Sequence, residues 1–331
     1  MLKSHAYIRT LGTEIKVDTR FVMTTTAKHA GKTLYEFLSE QFPFFEITDW
    51  ACALAGNNVL IDDQLTTGNP KLTADLTITF TLLNYQEDAV NTHWQLVWQN
   101  EQLMAINKPT LLPVQRTTRN ILNTLTSLVR RELQLPEAQP LHRLDLETAG
   151  LILFAKTKSD TLKWQPKLKT LLERKKYHAI VWGQPNWETK AFTCQLSKRA
   201  DSEIRCQMYA SESSTEGQTS TTNFKVIQTN GQFSIIECDL ITGRKHQIRA
   251  QLAYLGHPIV GDKIYAHDGQ FYLTRLRDAL TEQDHAMLKA PHHLLVACEV
   301  ELNLVSQPSQ LVRLSHSDYP DAWQRFLELE F

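Results

Sequence analysis

Near the N-terminus, the hydrophobic and polar positions alternate between helix-like and strand-like periods. TLYEFLSEQF (residues 33–42) carries apolar side chains at helical spacing, and EITDWACALAG is a second helix-like stretch that ends at Gly56. NNVLIDDQL has a tight turn between two short strands, and KLTADLTITFTLL alternates as a strand does. Helix, helix, hairpin and strand within residues 21–85 predict a small α/β domain.

From Leu96 onward strand-like patterns dominate. Apolar runs such as LVWQNEQLMAINKP, LILFAK and LLVACEVEL recur, and Asn230-Gly231 between two alternating runs is a strong hairpin signal. Helical spacing is confined to residues 118–134, 158–173, 245–255 and 268–282. The prediction is an α+β fold with a mixed, largely antiparallel sheet. The predicted divisions are an extension (1–20), a small module (21–85), a linker (86–95) and a main domain (96–331).

Composition and net charge restrict the possible partners and location of the protein. The chain has 331 residues, 42% hydrophobic and 21% charged, with a formal net charge of −1, so a surface for a polyanion has to be local. One candidate surface is the run from Lys156 to Lys176, which holds eight basic residues against two acidic ones. No signal peptide and no membrane span is evident, so we expect a cytoplasmic protein without a membrane partner. The five cysteines form no CxxC pair, and no metal site is predicted.

A charged stretch directly precedes an apolar run that predicts a fully buried strand. LHRLDLETAG (141–150) places Arg143 and Asp145 ahead of the apolar run LILFA, where a charge is costly unless it is paired or used in chemistry. Taken alone, Asp145 could be a cap or turn residue. Asp145 and Glu147 could also form a glycosidase pair, since i and i+2 on a strand face the same side. Glu147 lies in a turn, however, and is expected to point to solvent.

Four stretches together point to a family. INKPTLLPVQ, HRLDLETAG, KKYHAIVWG and TGRKHQIRAQLAYLGHPIVGDKIY occur in this order, and over residues 96–300 the chain resembles the RluA family of RNA pseudouridine synthases. It departs from the family pattern at Ala149, where Ser is usual, and in PHHLLVA, which replaces an Arg-His-x-Leu-His-Ala ending. The small N-terminal domain resembles the ribosomal-protein-S-four-like RNA-binding module in a degenerate, acidic form.

The resemblance implies a function and a set of site residues. It implies a monomeric enzyme that needs no cofactor and isomerises specific uridines of structured RNA, either rRNA or tRNA, to pseudouridine. Asp145 is implied as the catalytic carboxylate, Arg249 as its partner, Tyr177 as the ring that stacks on uracil, and Arg143 as a contact of the flipped nucleotide. Breaking the bond between base and sugar builds positive character on the sugar, which a carboxylate stabilises. The alternative is a catalytically inactive RNA-binding protein of the same fold.

Two further expectations follow from residue types. His142, His246, His292 and His293 lack ligand spacing and are expected to be satisfied structural histidines. Residues 21–85 hold seven acids against three bases, Lys28, Lys32 and Lys71, and phosphate affinity depends on cationic contacts. We therefore expect RNA affinity to lie mainly in the catalytic domain.

Overall fold

The computed structural model describes residues 17–42, 47–85, 87, 90–117, 120–304 and 308–331. It divides into two compact units. The first unit runs to Val90 and includes residues 115–124, and the second comprises residues 91–114 and 125–331. The first strand begins at Val17, inside the range predicted as an extension (1–20). Residues 115–124 lie inside the range predicted as the main domain (96–331).

The first unit is a four-stranded antiparallel sheet with two helices. Its elements are β1 (Val17–Thr24), α1 (Leu34–Gln41), α2 (Ile47–Ala55), β2 (Val59–Ile61), β3 (Gln64–Leu65) and β4 (Thr77–Tyr85), and the strand order is β1-β4-β2-β3. Helix α1 begins where Thr33 accepts a hydrogen bond from the Glu36 amide, which satisfies one of the free N–H groups of its first turn. Strand β1 was not predicted; after it the order helix, helix, hairpin and strand is the predicted one, and the likeness to the S-four-like module stays a prediction.

The second unit is built on one large sheet. Its strands are β5 (Gln95–Gln99), β6 (Leu103–Lys108), β7 (Gln139–Pro140), β8 (Ala149–Ala155), β9 (Leu172–Trp182), β10 (Thr189–Ser197), β11 (Tyr209–Ser211), β12 (Gln218–Thr229), β13 (Phe233–Leu240), β14 (Leu295–Leu302) and β15 (Gln310–Arg313). The order is β11-β10-β12-β13-β9-β14-β8-β6-β5, with β15 on β14 and β7 on β8. Among the described strands only β14 and β8 pair in parallel, so the prediction of a largely antiparallel sheet is confirmed.

The helices of this unit are shorter than the periodicity predicts. They are α3 (Leu125–Glu132), α4 (Lys158–Trp164), α5 (Leu168–Leu171), α6 (Gln247–Tyr254), α7 (Gln270–Arg275), α8 (Glu282–Leu288) and α9 (Asp321–Glu330). The helix predicted over 158–173 is split because a 3₁₀ turn with Pro166 near its start separates α4 from α5, and β9 already begins at Leu172. Among the described residues, no helix is long and apolar enough to cross a membrane.

The parallel pair of β8 and β14 brings the predicted motifs together. Gly150 has φ +108°, and a Cβ atom there would lie 2.2 Å from the carbonyl oxygen of Ala297, so only glycine allows this approach of the two backbones. Ala297 also pairs with Tyr177 on the other side of β14. The loop before β8 and the middle of β9 therefore meet across one strand.

Candidate active site

Asp145 lies in the loop before β8, and one of its carboxylate oxygens is held by Arg249 of α6. The Arg249 Nη1 atom donates to Asp145 Oδ2 at 2.8 Å. The Arg249 side chain is 6% exposed and the Asp145 side chain 23% exposed. The second oxygen, Oδ1, accepts no hydrogen bond from a described residue. The contact that the resemblance implies is present, and it leaves one carboxylate oxygen open.

Arg249 is itself fixed by a second, fully buried carboxylate, that of Asp262. Arg249 Nε and Nη2 donate to the two oxygens of Asp262 at 2.7 and 2.9 Å, and the backbone amides of Ile264 and Tyr265 also donate to Asp262. Such a bidentate pair fixes the plane of the guanidinium. Asp262 was not among the predicted site residues. The signal for it was present in HPIVGDKIY, a charge within an apolar stretch, which is the argument that singled out Asp145.

These pairings set the charges of the site. Burial alone would raise the pKa of the Asp145 carboxyl, but the positive charge of Arg249 lowers that pKa below its usual value. The pKa of Asp262 is lowered in the same way, because Arg249 outweighs burial. Burial works against the charge of Arg249, but Asp262 and Asp145 raise its pKa well above the usual range. At neutral pH the three groups form a carboxylate–guanidinium–carboxylate chain.

His246 lies on the other side of Asp145. Its Nε2 atom is 3.6 Å from Asp145 Oδ2, and its Nδ1 atom is 3.0 Å from the Tyr265 hydroxyl, which accepts a hydrogen bond from the Met208 amide. Burial, followed by the charge of Arg249, lowers the pKa of His246 to about 3. His246 is therefore a neutral neighbour of the carboxylate and, as expected, a histidine with satisfied polar contacts.

Tyr177 and Arg143, the two remaining predicted residues, have different environments. Tyr177 on β9 is 9% exposed, and burial together with the negative charge of Asp145 raises the pKa of its hydroxyl. Arg143 is exposed two residues before Asp145, and its side chain has no hydrogen-bond or ion-pair partner among the described residues. The structure thus places Tyr177 and Arg249 near Asp145 and leaves the Arg143 guanidinium in solvent.

The expectation that Glu147 points to solvent is wrong. Its side chain is 12% exposed, and its Oε1 atom lies 3.0 Å from Lys263 Nζ and 3.2 Å from Arg275 Nη1. The turn of the main chain directs the carboxylate inward, where two cations compensate the cost of its burial. A glycosidase mechanism would need Glu147 as a second catalytic carboxylate. Lys263 and Arg275 instead both contact its Oε1 atom and hold it in place.

Lys108, at the end of β6, is a site residue that the sequence interpretation missed. It is fully buried, and its Nζ atom donates to the carbonyl oxygens of Pro109, Leu112 and Leu146 at 2.9, 3.0 and 3.1 Å. Burial lowers the pKa of this lysine to about 7, and the charge of Asp145 opposes that shift. Because Leu146 follows Asp145 directly, Lys108 ties the loop that carries Asp145 to the loop that follows β6.

The remaining histidines are only partly as expected. His142 accepts a hydrogen bond from the Leu153 amide and His293 contacts the Thr148 hydroxyl, so both are satisfied. In His292 neither ring nitrogen has a hydrogen-bond partner among the described residues, although the residue is only 8% exposed. The described residues contain no group of three or more His, Cys, Asp or Glu side chains that could hold a metal ion.

The basic run from Lys156 to Lys176 divides into two parts. Its exposed lysines lie on α4 and α5 and the turn between them, and they are Lys158, Lys163, Lys167 and Lys169. We call these four residues the α4–α5 lysine surface. Lys176, by contrast, pairs with Glu237 at 3.1 Å on the sheet, and Lys156 donates to the Gln99 side chain. Within the helical part, Lys163 donates to the Gln102 side chain at 2.9 Å and lies over the Trp164 ring, but all four lysines are exposed to solvent.

Comparisons with known proteins bear on the family. Residues 102–254 match the family described as RNA pseudouridylate synthase. The chain is 32% identical over 183 residues to the dual-specificity RNA pseudouridine synthase RluA of Vibrio vulnificus, covering 54% of this chain and 71% of that protein. It is 28% identical over 237 residues to the mitochondrial tRNA pseudouridine(32) synthase of Saccharomyces cerevisiae, covering 72% of this chain and 51% of that protein.

The fold also has a solved counterpart. Human RNA pseudouridylate synthase domain containing 4 superposes with a TM-score of 0.54 at 24% identity, covering 70% of this chain and 91% of that one. The chain spans between 30% and 63% of the length of the first curated relatives that it matches. With four motifs in order, a matching family and a relative covered over most of its length, this chain belongs to the RluA family of RNA pseudouridine synthases.

Proposed function

We propose that this protein isomerises specific uridines of a structured RNA, a tRNA or an rRNA, to pseudouridine, with Asp145 as its catalytic residue. One observation carries the proposal: Asp145 is ionised, fixed through Oδ2 by Arg249, and free at Oδ1 on a partly exposed side chain. An anion that is held in place yet has one open oxygen can stabilise or attack a developing positive charge on a sugar carbon.

The reaction conserves every heavy atom. The bond between uracil N1 and ribose C1′ breaks, the base turns over, and C5 joins C1′. The hydrogen on C5 leaves as a proton, and N1 gains one. In this proposal Tyr177 stacks on the base and Arg143, whose side chain extends into solvent, contacts the flipped nucleotide. The positive groups of the α4–α5 lysine surface bind phosphates away from the reacting base.

The test is release of tritium from RNA labelled at uracil C5, because only isomerisation exchanges that hydrogen. Total RNA from a strain without the protein supplies the unmodified substrate, and the purified chain should release label from it in a time-dependent way. Asp145→Asn should bind the same RNA and release none. If the wild-type chain binds RNA but releases no tritium, the alternative of an inactive RNA-binding protein holds. Sequencing for pseudouridine in the treated RNA then identifies the target.

The cytoplasmic location and the monomeric state stay predictions.

A further inference from the structure

The three residues after Asp145 are each held by a distant part of the second unit. The Leu146 carbonyl accepts from Lys108 Nζ at 3.1 Å and from the Leu111 amide at 2.9 Å. Glu147 and Thr148 are held from the other side by residues 263, 275 and 293. Arg249 fixes the carboxylate of Asp145, whereas these contacts fix the main chain that carries it.

Glu147 is the charged centre of this second set of contacts. Besides Lys263 and Arg275, it accepts a hydrogen bond from the His293 backbone amide at 3.2 Å through Oε2. Burial would raise the pKa of Glu147, but His293 and Lys263 lower it below its usual value. The side chain is thus an anion held at both oxygens, Oε1 by cations and Oε2 by the segment that leads into β14.

His293 joins Glu147 to Thr148. Its Nε2 atom is 2.8 Å from Thr148 Oγ1, and its Nδ1 atom is 3.5 Å from Glu147 Oε2. Burial, followed by the charge of Arg249, lowers the pKa of His293 to about 4, so the ring is neutral and carries one hydrogen. Since an ionised Glu147 can only accept a hydrogen bond, we assign the hydrogen to Nδ1, which makes Nε2 the acceptor of the Thr148 hydroxyl.

These contacts reach Asp145 through the main chain. The Thr148 amide donates to the Asp145 carbonyl at 3.2 Å, which closes the segment 145–148 into a turn. We propose that Glu147 and His293 are positioning residues that hold this turn, so that Asp145 Oδ1 is directed at the sugar carbon. The proposal rests on the proposed function, because it assigns these residues a part in the same reaction. It also assigns a role to His293 in the PHHLLVA stretch, where the chain departs from its family.

The competing explanation is that Glu147 and Lys263 are an ion pair that only stabilises the fold. A double variant separates the two. Glu147→Gln leaves Lys263 buried without its anion and should lower the melting temperature, while Glu147→Gln with Lys263→Met removes the unpaired charge and should recover it. If the pair is only structural, the isomerisation rate recovers with stability. If Glu147 positions Asp145, the rate stays low in the double variant.

The rate is measured as a single-turnover constant for tritium release, with RNA affinity measured separately. For Glu147→Gln and for the double variant we expect the rate constant to fall about 10- to 100-fold, the range reached when a reacting group is misplaced by about 1 Å. RNA affinity should change less than about twofold, a difference well under one tenfold step. Thr148→Val, which keeps the volume but removes the hydroxyl donor, should also lower the rate constant.

Glu299→Gln is the matched control. Glu299 is 4% exposed and pairs with Arg313, but it lies opposite Lys176, whose side chain points to the other face of the sheet from Tyr177. This variant should lose stability and keep its rate constant. A second readout needs no activity: hydrogen exchange in the peptide spanning 145–148 should accelerate in Glu147→Gln and in His293→Phe.

The outcomes are separable. A wild-type chain that releases no tritium overturns the proposed function and this proposal with it. An active wild type together with a double variant of normal rate, or unchanged exchange at 145–148 in both single variants, overturns the positioning role and leaves the proposed function standing.

Discussion

The two units place their charges differently. In the first unit the described ion pairs lie at the surface: Lys32 with Glu40 and Arg20 with Asp63, with every side chain at least 34% exposed. In the second unit two largely buried ion-pair networks hold one loop: Arg249 pairs with Asp145 and Asp262, and Lys263 pairs with Glu147. Burying charge is costly, so such a network indicates where the fold supports chemistry.

One buried carboxylate of the first unit shows the contrast. Glu87 is 6% exposed, and it accepts hydrogen bonds from the backbone amides of Ile121, Leu122 and Asn123. Both of its oxygens are used to satisfy the donors of a loop. Asp145 has one oxygen paired and one open. Burial of a carboxylate by itself therefore does not indicate catalysis, and the open oxygen of Asp145 is what distinguishes it from Glu87.

The largest expected effect separates these two carboxylates. Asp145→Asn should lower tritium release by about 10³-fold or more, as the loss of a catalytic group does, while RNA binding persists. Glu87→Gln should weaken the first unit and leave the rate unchanged. Measuring both variants on one RNA checks the contrast, which fails if Asp145→Asn retains more than a trace of turnover.

Next in size is the stability difference between a buried and an exposed pair. Arg249→Met leaves Asp145 and Asp262 without their cation, so the free energy of unfolding should fall by about 3–5 kcal/mol, with loss of activity. Lys32→Met, which removes an exposed partner of Glu40, should cost about 0–1 kcal/mol. Urea titrations of both variants test this. Equal midpoints for Arg249→Met and the wild type would contradict the buried network.

Acid should affect the second unit through its buried histidines. The pKa values of His142, His292 and His293 are lowered to about 4, and that of His246 to about 3, first of all by burial. Between these values and the ordinary histidine pKa the unfolded chain binds more protons, so stability is lost as the pH falls from about 6.5 to 4. Each histidine contributes up to about 1.4 kcal/mol per pH unit.

Hydrogen exchange at pH 7 and pH 5, read separately for the peptides of each unit, is the measurement for this prediction. Exchange times must first be corrected for the intrinsic pH dependence of the reaction. Protection should fall more in the second unit than in the first. A uniform change across both units would show that the buried histidines do not govern acid stability.

The smallest expected effect concerns RNA affinity. Changing Lys163, Lys167 and Lys169 to Glu on the α4–α5 lysine surface should weaken binding about tenfold and flatten its salt dependence, because fewer counterions are released. Changing Lys28, Lys32 and Lys71 of the first unit to Ala should alter affinity less than about twofold if that unit holds few phosphates. Salt titrations of both variants decide this. A larger loss of RNA affinity in the first-unit variant would show that the first unit supplies the main phosphate contacts.

Much of the fold and part of the site follow from the sequence alone. Helical and strand periods located the central strands of the second unit and its Asn230-Gly231 hairpin, because burial of one face leaves a local pattern, but they did not predict β10 or α9. The position of Asp145 before a buried strand made it a candidate, and motif order gave the family. The contact with Arg249, 104 residues away, came from resemblance and not from periodicity.

Only the tertiary structure decided which charges meet. The pairing of β14 with both β8 and β9 is long-range, so no local pattern shows that Asp262 fixes Arg249 or that Glu147 turns inward to Lys263. Local sequence records whether a position is apolar, since burial is a property of one side chain and its period along an element. The choice of partner for a buried charge depends on which distant segments the sheet brings within a few ångströms, and that choice determines whether a carboxylate is a structural contact or a reacting group.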